Sequence, residues 1–359
     1  VNAYQGRLCR LREALADLSR ALLVTNLVNV RYLCGFTGSS GSLLVTDQEA
    51  VLITDSRYRL QAQQEAPDCR LQVAPRQLEG IVEVVRGLGL AGLAFERAHL
   101  TCALYEDLSA RLPEVTLIAT SELVEGLRMI KEAQEIRAIG QAAALTDAAF
   151  QHLCGLLRPG LTERQLGLEA EFYMRRQGAD SAAFEPIIAA GPRSALPHAR
   201  PSPRPLQPGD LVVVDLGARL DGYCSDLTRT VALSRAGDQE REIYQLCLWA
   251  QAAGLEALVP GAACRDVDAA ARQVIASAGY GDCFGHGLGH SLGLETHEMP
   301  RLSPLDEHSL APGMVLTVEP GIYLPERGGV RIEDLAEITA SGCRLLSRAP
   351  KPAELPVLT

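Results

Sequence analysis

Short apolar runs alternate with helix-length stretches through the first third of the chain. Residues 22–25, 42–46, 50–53 and 90–95 read as buried strands, while 56–64 and 101–111 have helical spacing. Thr101 stands where its hydroxyl can cap the second of these helices. Strands interleaved with helices predict an α/β layer domain. From Leu123 the pattern lengthens. Residues 125–157 read as one or two long amphipathic helices, with Ile130, Ile136, Ile139 and Ala143 on one face and Pro159-Gly160 as the stop. Further helices are predicted at 163–177 and 239–258, among strands separated by Gly and Pro turns. Helices on one side of a largely antiparallel sheet give an α+β domain. The predicted organisation is therefore two domains, 1–123 and 124–359, with no short-period repeat and no low-complexity tract beyond the proline-rich segment 197–208.

A chain of 359 residues can bury two separate cores, and 47% apolar with 22% charged residues is globular composition rather than disorder. The net charge of −10 argues against a nucleic-acid partner, which needs clustered Lys and Arg. No apolar run approaches the roughly 18–20 residues that span a bilayer. The charged N-terminal segment lacks an apolar core followed by a cleavage site, so no signal peptide is expected. Ten scattered cysteines without a C-x-x-C pair suit reduced thiols and a cytoplasmic location. Cys224 lies near the chemistry described next but is read as packing, and the isolated His99 as structural.

Three segments carry candidate chemistry. In 212–217 and 223–230, two strand-like runs flank a turn signal at Asp221-Gly222 and so predict a hairpin. If the turn centres between Leu220 and Asp221, Asp215 and Asp226 face each other with Cβ atoms about 4.5–5.5 Å apart. Two carboxylates that close, one interrupting an apolar strand, need a cation or a shared proton. The second segment, 285–298, holds His286, His290 and His297 among glycines that make a helix improbable and suit backbone packed tightly on a ligand. Its G-x-G spacing lacks the acidic residue of a nucleotide fingerprint. In the third, Glu319 and Glu333 each close an apolar strand, in 313–321 and 329–334. Four carboxylates and one imidazole form a hard, oxygen-rich donor set suited to Mn2+, Co2+, Fe2+ or Zn2+, and would balance the four charges of two divalent ions.

With these motifs in order, the chain resembles the proline peptidases, the Xaa-Pro aminopeptidases and prolidases related to methionine aminopeptidase and creatinase. The likeness covers nearly the whole chain, including 29–33 with 35–41, 127–131 with Glu135-Ile136, 194–198, and the Asp, His and Glu segments above. It implies an α/β, creatinase-like N-terminal domain and a pita-bread catalytic domain, α+β with a curved, mostly antiparallel sheet. It further implies two divalent metal ions, Mn2+ or Co2+ favoured and Zn2+ possible, held by Asp215, Asp226, His290, Glu319 and Glu333. Glu319 would also serve as acid/base and His297 would bond the scissile peptide. His198, His286, Arg301 and Arg331 would line or organise the substrate pocket. The implied reaction is hydrolysis of the Xaa-Pro bond in di- or oligopeptides by a homodimer, with no nucleic acid or membrane involved. Departures from the family pattern are Ser291 and Ala199, where glycine is frequent, and Arg193, where asparagine is. The alternatives are a metal-free, creatinase-like hydrolase or an inactive binding protein on the same fold, both disfavoured by the survival of all five ligands. Methionine aminopeptidase itself does not need such an N-terminal domain.

Overall fold

In the computed structural model, which describes residues 3–15 and 20–359, the chain forms two compact units, Val1–Arg128 and Met129–Thr359. Residues 1 and 2 of the segment read for a signal peptide lie outside the described residues.

The first unit is α/β. Its elements run α1 (Ala3–Leu15), β1 (Ala21–Val24), α2 (Leu27–Cys34), β2 (Ser42–Thr46), β3 (Ala50–Thr54), α3 (Arg59–Glu65), β4 (Arg70–Val73), α4 (Gln77–Gly87), β5 (Gly92–Glu96), α5 (Cys102–Arg111) and β6 (Thr116–Thr120), with α6 (Leu123–Met129) at its end. The six strands form one sheet in the order β4-β3-β2-β1-β5-β6. Pairing is parallel for β1–β5, β5–β6 and β3–β4, and antiparallel for the β1–β2 and β2–β3 hairpins. The predicted strands lie where the apolar runs put them. Thr101 caps α5 by accepting from Leu104 N at 3.2 Å. Helices α1, α2 and α4 went unpredicted; α2 starts where Asn26 accepts from Val28 N. His99 packs structurally, 3.0 Å from the Asn26 amide.

The second unit is α+β. It runs α7 (Ala133–Cys154), α8 (Glu163–Arg176), β7 (Ser181–Ala182), β8 (Ile187–Ala190), β9 (Leu211–Leu216), β10 (Ala218–Leu220), β11 (Tyr223–Cys224), β12 (Leu227–Leu233), α9 (Asp238–Ala257) and α10 (Cys264–Ser277). Then follow β13 (Gly289–Ser291), β14 (Glu298–Leu302), β15 (Val315–Val318), β16 (Gly321–Leu324), β17 (Gly328–Arg331), β18 (Asp334–Ile338), β19 (Cys343–Leu345) and β20 (Val357–Leu358). Two main sheets result, β20-β12-β9-β8 and β14-β13-β15-β18-β19, antiparallel apart from the β12–β20 pair. Helices α7 and α8 bury Ala149, Phe150, Leu153, Leu166 and Met174 against Val212, Val214 and Val231 of the first sheet. Helices α9 and α10 bury Cys247, Ala250, Val267, Ala271 and Ile275 against Leu302, Leu316 and Val318 of the second. Helix α10 was not predicted. Its start has no side-chain cap, although its stripe at Val267, Ala271 and Ile275 has helical spacing.

One buried charge cluster braces this unit. Arg229 of β12 donates to Asp334 Oδ1 at 2.7 Å, to the Ala349 carbonyl and, closely, to the Glu333 carbonyl, with Arg229 and Asp334 side chains 4% and 1% exposed. Lys351 and Gln251 complete the ring around Asp334 Oδ2. The ten cysteines form no disulfide, and Cys224 is buried with its thiol pushed up by burial, as a packing residue should be. Among the described residues no helix is long and apolar enough to cross a membrane. Replacing Asp334 by Asn leaves the Arg229 guanidinium buried without its counter-charge. The substitution should cost roughly 3–5 kcal/mol, read as a lower urea midpoint with an unchanged m value.

Candidate metal centre

Asp215 sits in β9, whose register with β12 pairs Leu216 with Leu227 and Asp215 with Thr228. The hairpin continues through Arg219–Cys224 and Leu220–Tyr223 to the two-residue turn Asp221-Gly222. Both turn residues have positive φ, 48° and 77°, the backbone of a type I′ turn that Asp-Gly accommodates. The turn therefore centres one residue later than expected, and Asp215 faces Thr228 rather than Asp226. Because that slip moves the register by two residues, Asp226 becomes the diagonal neighbour of Asp215 instead of crossing to the other face.

The remaining three candidates also stand at or beside strand ends. His290 lies in β13, Glu319 directly follows β15, and Glu333 lies between β17 and β18. Gly289 permits the approach of β13 to β15, since a Cβ there would come within 2.0 Å of the Thr317 carbonyl oxygen. This is the tight packing that the histidine-glycine segment foretold. The His290 amide donates to Thr317 Oγ1 at 3.0 Å, and that hydroxyl donates to Glu319 Oε1 at 3.1 Å. His290 Nδ1 lies 3.1 Å from the Ser291 carbonyl, which fixes the proton there and leaves Nε2 as the free lone pair. Nε2 is 3.3 Å from Glu319 Oε1 and 3.8 Å from Asp226 Oδ2. The Ser291 hydroxyl, one of the departures from the family pattern, accepts from Lys131 Nζ at 2.9 Å.

These residues fit a divalent cation. One donor atom each from Asp226, His290 and Glu333 lie within 4.8 Å of one another. Asp215 Oδ2 accepts from Arg331 at 2.5 Å, but Oδ1 is buried with no hydrogen-bond partner. An orphaned carboxylate oxygen beside three convergent donors is what a hard cation would satisfy. Glu333 Oε2 accepts from the Thr228 hydroxyl at 2.7 Å, which holds the carboxylate without consuming its other oxygen. Burial, then the charges of Glu333, Asp215 and Glu319, pushes the Asp226 carboxyl well above its usual range. Burial likewise raises Glu333 well above its range, with Glu319 and Asp215 adding to it, and raises Glu319 itself. Burial lowers His290, favouring the neutral imidazole that can ligate.

A cavity of about 560 Å³ opens over this cradle. His198, His286, His297, Arg301 and Arg331 all line it. The His297 ring lies 4.4 Å from that of His290, and burial, helped by His290 and Arg301, brings its pKa down to about 4. His198 is exposed, and Arg301 is exposed in β14 opposite His290. Both ring nitrogens of His286 are engaged within the protein, with the Gly287 carbonyl at 2.7 Å and the Tyr323 hydroxyl at 2.9 Å. Arg331 is buried, donating to Asp215, to Tyr323 at 2.8 Å, to Thr228 Oγ1 at 3.1 Å and to the Pro197 carbonyl at 3.2 Å. Sequence reasoning did not single out Thr228, Thr317 or Tyr323. Each lies in a strand with no local chemical signal of its own, and only the register shows that their hydroxyls meet the carboxylates and Arg331.

The family model for metallopeptidase family M24 matches residues 137–340, and that for the creatinase/prolidase N-terminal domain matches 7–130. The chain belongs to the M24 metallopeptidases. An uncharacterized peptidase of Bacillus subtilis, YqhT, is 44% identical over 92% of this chain and 94% of that protein. An Xaa-Pro dipeptidase structure from Bacillus anthracis superposes with a TM-score of 0.96 at 40% identity, covering 99% of this chain and all of the other. An X-Pro aminopeptidase from Thermotoga maritima gives 0.90 at 34% identity, covering 98% of this chain and 99% of the other. Membership of the family makes the chain a metallopeptidase and accounts for the second unit, while the creatinase/prolidase N-terminal match accounts for the first.

The crowded carboxylates set a pH dependence. A carboxyl whose folded pKa lies above its unfolded value stabilises the fold at low pH, and that contribution is lost as pH rises through the folded value. Metal-free protein should therefore lose thermal stability as pH is raised above the ordinary carboxylate range, from about 5 upward. Divalent metal should restore it, with an affinity that grows with pH as protons leave the ligands. Asp226→Asn should flatten the metal-free profile and abolish calorimetric metal binding. A metal-free profile that rises with pH would contradict the carboxylate repulsion described here.

Proposed function

We propose that the chain hydrolyses the Xaa-Pro peptide bond, releasing the N-terminal residue from proline-containing di- or oligopeptides at a two-metal centre. Support comes from the convergence of donor atoms from Asp226, His290 and Glu333, with Glu319 3.3 Å from His290 and a buried Asp215 oxygen that no hydrogen bond partners, all five residues lining one cavity. The bond cleaved is supported by the names of the structural relatives, an Xaa-Pro dipeptidase and an X-Pro aminopeptidase. All five side chains would hold the metals. Two divalent ions there would lower the pKa of water towards about 7 and polarise the scissile carbonyl. The oxygen-rich set favours Mn2+ or Co2+, with Zn2+ able to compete. Ten unpaired cysteines support a reducing, cytoplasmic location, and the family resemblance supports a homodimer.

The protein's own groups divide the remaining work. Glu319, its carboxyl raised by burial, is suited to take a proton from the attacking water and pass it to the departing proline nitrogen. His297 is neutral above its lowered pKa of about 4, so its ring N–H can donate to the scissile peptide as charge develops on the carbonyl oxygen. His198 lies on the cavity wall, where it can bond the substrate backbone. His286, with both nitrogens engaged, shapes the wall rather than donating to substrate. Arg331 holds Asp215 in place, and exposed Arg301 is the group available for a substrate carboxylate.

Hydrolysis of an Xaa-Pro dipeptide and an Xaa-Pro-Xaa tripeptide, each assayed with Mn2+, Co2+ and Zn2+, should require added metal. A faster dipeptide identifies a dipeptidase and a faster tripeptide an aminopeptidase. Glu333→Ala should lose more than the roughly 10–100-fold that removal of a supporting partner costs. Full metal-dependent activity in that variant would show the ligand assignment to be wrong.

A further inference from the structure

The wall of the cavity that carries His198 is held by a buried carboxylate outside the metal cradle. Glu163, the first residue of α8, has a side chain 0% exposed. Helix α8 does not need it as a cap, because Thr162 and Gln165 already form a reciprocal capping box. Glu163 instead gathers donors from both shoulders of the segment 191–201. Ala190 N donates to Oε1 at 2.9 Å, and Ser202 donates to Oε2 from its amide at 2.9 Å and its hydroxyl at 2.6 Å. Arg193 Nε bridges both oxygens at 3.2 and 2.9 Å. The other arm of that guanidinium, Nη2, donates to the Arg200 carbonyl at 2.6 Å, two residues past His198. Between these anchors Pro197, His198, Ala199 and Arg200 line the cavity. Because His198 is exposed, its place is set by the backbone beneath it.

We propose that Glu163 and Arg193 are positioning residues for the peptidase reaction, clamping the backbone under His198 so that the histidine meets the substrate; this rests on the function proposed above. Charge-assisted bonds to a planar fork are suited to the task, since they fix direction as well as distance. A side chain as short as asparagine at position 193 could not span Glu163 and the Arg200 carbonyl together. In this chain the span is made by a guanidinium.

The test uses the metal-loaded full chain and an Xaa-Pro dipeptide. Glu163→Gln keeps the side chain's size but turns an amide towards Arg193 and Ser202; Arg193→Lys keeps the charge and loses the fork. Both should lower kcat/KM, by up to about 100-fold for Glu163→Gln. Hydrogen exchange of amides 196–200 should quicken, while calorimetric metal affinity stays unchanged. In a His198→Ala background, Glu163→Gln should cost no more than about twofold further, the signature of a shared pathway. Equal losses in both backgrounds, or unchanged exchange and kinetics in both variants, overturn the clamp. Should Glu163→Gln fail to fold, Arg193→Lys carries the same comparison. A wild type without hydrolysis under any metal sinks the proposed function and this role with it; an active wild type lacking the pattern above sinks the clamp alone.

Discussion

Four carboxylates confined to one buried pocket repel one another, and the second unit is arranged around that repulsion. Water cannot screen the charges well at such depth. Protonation relieves part of the strain, as the raised Asp226 and Glu333 carboxyls show. Arg331 relieves another part by pairing with Asp215. Neither supplies a partner for Asp215 Oδ1, so the protein alone leaves the account of buried polar groups incomplete. Cation binding is thus coupled to the fold's own electrostatics.

Antiparallel strands suit this demand. A strand end delivers a side chain at a fixed height and face, and pairing with a neighbour locks its register. Thr228 shows how closely the two are joined. It is the cross-strand partner of Asp215, the donor to Glu333 and an acceptor for Arg331. The Arg229–Asp334 pair does the same work one residue along on each strand, tying β12 to the backbone that carries Glu333. Helices α7 to α10 contribute none of the five candidate ligands; their apolar faces pack on the sheets that carry them.

Much of this was legible in the sequence. Asp215 interrupting one apolar run, and Glu319 and Glu333 each closing another, marked three of the candidate carboxylates, the predicted hairpin marked Asp226, and like charges so close implied a cation or a shared proton before any relative was considered. The histidine-glycine segment signalled close packing, which Gly289 confirms. The hairpin register was less legible. A turn's centre depends on which residues take positive φ, and Asp221-Gly222 moved it by one place without moving Asp226 off the face. Helix α10 escaped because its N-terminus carries no polar cap. The hydroxyls of Thr228, Thr317 and Tyr323 escaped because nothing local distinguishes them from other strand residues. Their partners are distant in sequence, and only tertiary pairing reveals them.

The cradle and the cavity wall are built from different kinds of structure. The candidate ligands sit at or beside strand ends whose positions are fixed by pairing, whereas His198 rides on an irregular segment held by side chains. Changes of length or composition in that segment can alter which peptides fit without moving a ligand. The division gives the scaffold a route to new selectivity under mutation: the chemistry is inherited with the sheets, and substrate choice can drift with the loop.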